Sequence, residues 1–354
     1  MPDDADVRSR LDAFASKTPG LQYLVVSPGG TVFEYAGGVA DLAARRPMTL
    51  ETSLMAYSMS KTITAAAVLQ LAGAGQIALD APLDRYVDAQ PYGPEITVRQ
   101  VLSHTSGIPN PIPLRWVHPA AEHASFDEAA ALAAVLRQHP RAAFAPGAKY
   151  AYSNIGYWLL GSVIARASGE PFVSYVTVRV LRPLGIDPSD LGYAIEDPAT
   201  HATGYLEKYS LINLIKGAVI DRALVGEYHG SWLEIRPHYP NGPAFGGLVG
   251  TARGFGAFLR DQLQPRSRLF DAATRALFYE PQHTAGGRTI AMTLGWHTGS
   301  AGASPCFYKE GGGGGFHCMM RVYPASRIAS VVMTNATGID VRGLLDRVDP
   351  PFLG

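Results

Sequence analysis

The chain has almost no cysteine: Cys306 and Cys318 are the only two in 354 residues. That excludes a disulfide framework and a paired-cysteine metal pattern, and two free thiols are expected. Long hydrophobic runs are missing; none approaches the roughly 20 residues that span a bilayer. An excess of either charge is missing too, because 30 Lys and Arg balance 30 Asp and Glu, with no block of like charge. A polyanion partner such as nucleic acid is therefore not expected. Residues 1–10 hold no apolar segment of a secretory signal. With Met1 as the natural start, a cytoplasmic location is expected; a leader already removed would undo that.

Several catalytic signatures are also absent. There is no Gly-x-Ser-x-Gly, which argues against an α/β-hydrolase. There is no Walker motif and no His-Glu-x-x-His; His118 and His123 flank Glu122 without zinc spacing. The glycine run Gly311–Gly315 follows a candidate strand but opens no helix, so it is not a dinucleotide fingerprint. Its plain reading is a flexible turn. No metal and no cofactor is expected.

What is present is an ordinary globular composition, 47% hydrophobic and 17% charged, in a chain long enough for two lobes. Residues 3–16 carry Val7, Leu11 and Phe14 at helical spacing. Leu21–Val26, the turn Pro28-Gly29-Gly30 and Thr31–Ala36 read as a hairpin. Residues from about 79 to 245 are rich in helix signals and Pro/Gly breaks. Ser125-Phe126-Asp127-Glu128 reads as a capping box, and Tyr157–Ile164 as a buried helix. Tyr209–Ile215 reads as a packing helix or a flap over a pocket. Strand character returns at Thr289–Trp296, Cys306–Glu310, Phe316–Tyr323 and Ile328–Thr334, with the short spacers of an antiparallel meander. The expected fold is α+β. Residues 1–80 and 245–354 form a discontinuous antiparallel sheet domain flanked by helices, and residues 81–244 an inserted, mostly helical domain.

Ser58-Met59-Ser60-Lys61 precedes an Ala/Val/Leu-rich segment that should be a buried helix ending near Gly73 and Gly75. Residues three apart share a helix face, so the Ser58 hydroxyl and the Lys61 amine would lie side by side. Ser58 would sit near the helix start, where free N–H groups and the positive dipole end lie. A serine is a weak nucleophile until a neighbour takes its proton, and a desolvated lysine can help. Alone, the pattern equally fits an N-cap serine followed by a solvated lysine.

Three further stretches decide between these readings. They are Leu102-Ser103-His104-Thr105-Ser106-Gly107, Pro146-Gly147 with Tyr152-Ser153-Asn154, and Tyr308-Lys309-Glu310-Gly311-Gly312. With Ser58 and Lys61, their order and spacing resemble the serine β-lactamase-like superfamily. The nearer resemblance is to its branch of class C β-lactamases, D-amino-acid and D-peptide peptidases and family VIII carboxylesterases. The resemblance runs from about Gly20 to Thr337. It implies Ser58 as nucleophile, Lys61 as its partner and Tyr152 as general base with that lysine. It implies that Asn154 bonds the lysine and the acyl side of the substrate, that Lys309 and Gly311 belong to the third motif, and that the Gly312 N–H joins that of Ser58 in an oxyanion hole. His104 is implied as structural. Chemistry supports the same roles: ammonium groups on Lys61 and Lys309 would pull the Tyr152 phenol below its usual value of about 10. Whether Tyr152 or Lys61 takes the serine proton stays open. Tyr239-Pro240-Asn241 lacks the flanking signals and reads as a loop, Lys149 as a solvated loop residue. Trp116, Tyr308 and Phe316 read equally as acyl-pocket lining and as core.

Glu310 replaces the threonine of penicillin-recognising members, and on a strand it should point away from Lys309. The cytoplasmic start argues against cell-wall trimming or interception of β-lactams. The resemblance therefore implies an acyl-enzyme serine hydrolase, first of all a carboxylesterase for small or medium acyl esters. A β-lactamase or D-amino-acid/D-peptide peptidase, an acyltransferase, and a non-catalytic binding protein are the alternatives. The partner would be a small-molecule ester or amide, with neither nucleic acid nor membrane; oligomeric state is left open.

Overall fold

The computed structural model describes residues 4–88, 90–112, 116–214, 216 and 220–354. Helix α1 (Asp4–Ala15) precedes strands β1 (Gly20–Ser27), β2 (Gly30–Asp41) and β3 (Arg46–Pro47). Helix α2 (Ser60–Gly73) follows a single 3-10 turn at Tyr57–Met59. Helix α3 spans Asn154–Ser168 and α4 Ala252–Leu263. The chain ends on strands β4 (His297–Ala301), β5 (Ser304–Gly313), β6 (Phe316–Tyr323) and β7 (Ile328–Thr334), then helix α5 (Val341–Val348).

These strands form one seven-stranded sheet in the order β4-β5-β6-β7-β1-β2-β3, antiparallel throughout. The first and last strands of this sheet along the chain thus meet at β1 and β7, where Leu21 faces Thr334 and Val25 faces Ser330. Side-chain alternation divides the sheet between two layers. Leu21, Tyr23, Val25, Met319 and Val332 pack with α1 and α5 through Val7, Leu11, Leu344 and Leu345. Leu24, Val26, Met320 and Val331 face the larger core, which holds α2, α3 and α4. The fold is β-lactamase-like, an antiparallel sheet with helices on both faces.

Four sequence expectations are corrected. Thr289–Trp296 is not a strand. Gly295 takes φ +115°, Thr293 N–H bonds Trp296 O at 2.8 Å, and the tight turn breaks any ladder; the edge strand begins at His297. The helix Glu128–Gln138 is capped by Asp127, whose carboxylate accepts from Ala130 N–H at 2.9 Å, while Ser125 closes a preceding 3-10 segment. Tyr239 and Pro240 belong to a strand, His238–Pro240, paired with Val117–Pro119. The middle of the chain also supplies most of a four-stranded sheet (Gly204–Glu207, Val225–His229, Trp232–Ile235, Ala336–Thr337) and is less purely helical than expected. In the Tyr209–Ile215 run, Leu211–Leu214 is a short helix with Tyr209 and Leu214 exposed; Ile215 lies outside the described residues. Among the described residues no helix is long and apolar enough to cross a membrane.

Candidate active site

Ser58 lies in the 3-10 turn that feeds α2, and Lys61 follows on the first turn of that helix. Helical spacing brings Lys61 Nζ to 3.0 Å from Ser58 Oγ. Tyr152 comes from the loop before α3, and its hydroxyl lies 2.8 Å from the same Oγ. Asn154 opens α3, capped by Ser153, which accepts from Gly156 N–H at 3.0 Å. Lys61 Nζ donates to Asn154 Oδ1 at 2.7 Å and to the Phe245 carbonyl at 2.7 Å. The carbonyl was invisible to sequence reasoning, because a backbone acceptor has no side-chain signature.

Lys309 rises from β5. Its amine is fully buried, has no hydrogen-bond partner among the described residues, and sits 5.4 Å from the centre of the Tyr152 ring, with Lys61 Nζ at 4.9 Å. Glu310 points away, as strand alternation requires, to His317 Nε2 at 2.8 Å and Arg342 at 3.3 Å. His104 takes φ +58° and accepts from Ser153 N–H at 3.1 Å, with its ring 4.4 Å from that of Tyr152. It braces the Tyr152–Asn154 turn. Lys149 is exposed.

Gly311, Gly312 and Gly313 are the last residues of β5, not a flexible turn. A Cβ at Gly311 would fall onto the Ala56 carbonyl and within 3.0 Å of Met59 N; one at Gly313 would fall onto the Tyr57 ring. Only glycine lets this strand lie against the Tyr57–Met59 turn. Gly312 between them is exposed.

The protonation pattern differs from the sequence expectation. Burial pushes the Tyr152 phenol above its ordinary value, against the bond to Ser58. Burial, then the Lys309 charge, holds the Lys61 amine well below its ordinary value, and burial brings Lys309 to about 7. Amines that lose their protons this readily carry too little charge to draw the phenol down. His104 is also pushed far down by burial and then by the two lysines, and stays neutral.

Beside Ser58 lies a cavity of about 300 Å³ lined by Trp116, Leu206, Leu224, Ile235, Phe245 and Gly312, among others. Trp116 is thus a lining residue, 6.1 Å from the Phe245 ring; Phe316 and Tyr308 do not reach it. A larger cleft of about 1150 Å³, between Leu132 and Phe172, touches none of the Ser58 cluster. Cys306 and Cys318 are free and buried, and among the described residues no group of three or more side chains could hold a metal ion.

The fold and family place the chain among the serine hydrolases. It belongs to the Beta-lactamase family, whose model matches residues 6–348. It is 30% identical over 285 residues to esterase EstB of Burkholderia gladioli, covering 71% of this chain and 68% of that protein. It is 32% identical over 208 residues to a D-aminopeptidase of Brucella anthropi, of which the match covers only 38%. D-amino acid amidase from Ochrobactrum anthropi SV3 superposes with a TM-score of 0.81 at 23% identity, over 98% of both chains. EstCE1, described as a hydrolase with promiscuous acyltransferase activity, gives 0.72 at 21% identity over 99% of both. At these identities the structural likenesses establish the fold.

Proposed function

We propose that the chain is a carboxylesterase that cleaves small or medium acyl esters through an acyl-enzyme on Ser58. One observation carries this: Ser58 Oγ lies within hydrogen-bond distance of both Lys61 Nζ and Tyr152 Oη, next to an apolar cavity whose lining includes its chain neighbour Tyr57, Phe245 and Gly312. The bonding around Lys61 supports it as the base. A neutral amine has two N–H donors and one lone pair. Two of its three partners, Asn154 Oδ1 and Phe245 O, can only accept; the third, Ser58, has a proton to give. The donors then go to the carbonyls and the lone pair faces the serine. Ser58 Oγ bonds the acyl carbon while its proton passes to Lys61. The oxyanion is held by the N–H groups of Ser58 and Gly312. The C–O bond breaks, Tyr152 gives its proton to the departing alkoxide, and the Lys61 ammonium restores it. Water resolves the ester by the reverse route.

The alternatives are separable. A D-aminopeptidase must hold a free α-ammonium, yet the described lining of the cavity includes no carboxylate, and two amines lie close by. This favours a neutral acyl group. The experiment is a panel of p-nitrophenyl esters of rising acyl length, run beside a chromogenic cephalosporin, D-alanyl p-nitroanilide and an added alcohol acceptor. Short and medium esters are expected to turn over fastest. Ser58→Ala should lower kcat by at least about 10⁴-fold and abolish fluorophosphonate labelling. Faster turnover of the cephalosporin or the anilide overturns the substrate assignment, and activity retained in Ser58→Ala removes the nucleophile.

A further inference from the structure

The residue before the nucleophile is a tyrosine in a left-handed conformation: Tyr57 has φ +42°. Bulky residues avoid this region unless their surroundings hold them there. The Tyr57 hydroxyl meets His238 Nε2 at 2.6 Å, and His238 Nδ1 lies 2.8 Å from the Arg236 carbonyl. A carbonyl only accepts, so Nδ1 carries the proton and Nε2 accepts from Tyr57. Both side chains are buried, and burial holds the phenol protonated and the imidazole neutral. The Tyr57 ring fills the space where a Cβ on Gly313 would sit, and a Cβ on Gly314 would come within 3.0 Å of His238.

Tyr57 therefore links the two proposed oxyanion donors. It is covalently joined to Ser58, and its ring lies against the neighbour of Gly312. We propose that Tyr57, anchored on His238, is a positioning residue that sets the spacing between the Ser58 and Gly312 N–H groups. This rests on the acyl-enzyme reading of Ser58. Without the anchor, φ of residue 57 relaxes toward negative values and turns the Ser58 N–H and Oγ away from the glycine edge.

Tyr57→Phe keeps the ring and deletes the hydroxyl. Misplaced donors act on the transition state more than on the ground state, so kcat should fall about 10- to 100-fold with KM within about twofold. Affinity for a trifluoromethyl ketone analogue should fall in parallel. His238→Gln, which can still accept from Tyr57, should recover most of the activity; His238→Leu should repeat the Tyr57→Phe loss. Titration of active sites by fluorophosphonate refers each rate to folded enzyme. A wild-type kcat in Tyr57→Phe, a loss carried by KM with the ketone affinity unchanged, or equal losses in His238→Gln and His238→Leu would each overturn the proposal. Activity surviving in Ser58→Ala defeats the acyl-enzyme reading; an inactive Ser58→Ala beside an unimpaired Tyr57→Phe defeats only this inference.

Discussion

At the scale of single residues, charge is the quantity that matters. Lys61 and Lys309 both approach the Tyr152 ring, and neither has a carboxylate partner among the described residues. Two buried cations side by side are unfavourable, and protons leave until the repulsion is relieved. The sign of the coupling gives a prediction. Charge on Lys309 lowers the Lys61 pKa. Below about pH 7, where Lys309 carries that charge, Lys309→Met removes it, and the Lys61 pKa rises. An esterase that needs Lys61 neutral then loses activity at a higher pH than wild type on the acid side. The pH dependence of kcat/KM for p-nitrophenyl butyrate reports this. An acid limb that stayed in place, or moved to lower pH, would contradict the role of Lys61 as base.

At the scale of elements, the sequence was most readable where one periodicity ran unbroken. Val7, Leu11 and Phe14 marked α1, the turn Pro28-Gly29-Gly30 marked the hairpin, and Ser58 with Lys61 sat at the head of a long apolar helix. The misreadings share a cause: tertiary contacts overrode local signals. Leu294 and Trp296 are apolar because they fill the large core from an irregular segment, not because they alternate on a sheet. The glycine run looked flexible because composition alone cannot separate a turn from a close approach. Of the five, only Gly315 has positive φ; Gly311 and Gly313 are required by what lies opposite them. Gly311→Ala therefore tests the element as a whole. The new methyl meets the Ala56 carbonyl and Met59 N, backbone atoms that cannot swing aside. The strand must back away from the turn that carries Ser58. We expect a loss of about 1–3 kcal/mol in stability and at least about a 100-fold fall in kcat, read by urea denaturation and steady-state kinetics. A variant that is destabilised yet fully active would separate strand packing from catalysis.

At the scale of the whole molecule, the chain must close on itself before the site exists. β1 pairs with β7, and Gln22 on β1 binds the Thr49 and Thr52 carbonyls and the N–H of Ala252 at the start of α4. The far face of the sheet is locked by a buried acid that no motif or periodicity singles out. Asp349 follows α5 and is almost wholly buried. It accepts from Tyr23 on β1 at 2.8 Å, from Tyr323 on β6 at 2.6 Å and from Ser330 on β7 at 2.9 Å, with Arg321 3.6 Å away. Three hydroxyl donors from three strands converge on one carboxylate, with the Arg321 guanidinium close by, and the cluster joins the two ends of the chain. It lies among the residues that pack with α1 and α5, across the sheet from the core that carries Ser58. Asp349→Ala leaves two phenols and a hydroxyl without this acceptor, while Arg321 keeps its ion pair with Asp346 at 2.7 Å. Breaking a buried polar cluster on one side costs about 3–5 kcal/mol. The urea midpoint should fall accordingly with its slope unchanged. Because the site is on the other face, the rate per fluorophosphonate-titrated molecule should stay within about twofold of wild type. A rate that fell as far as the stability would mean that the sheet transmits strain from Asp349 to Lys309, and that the two faces do not act independently.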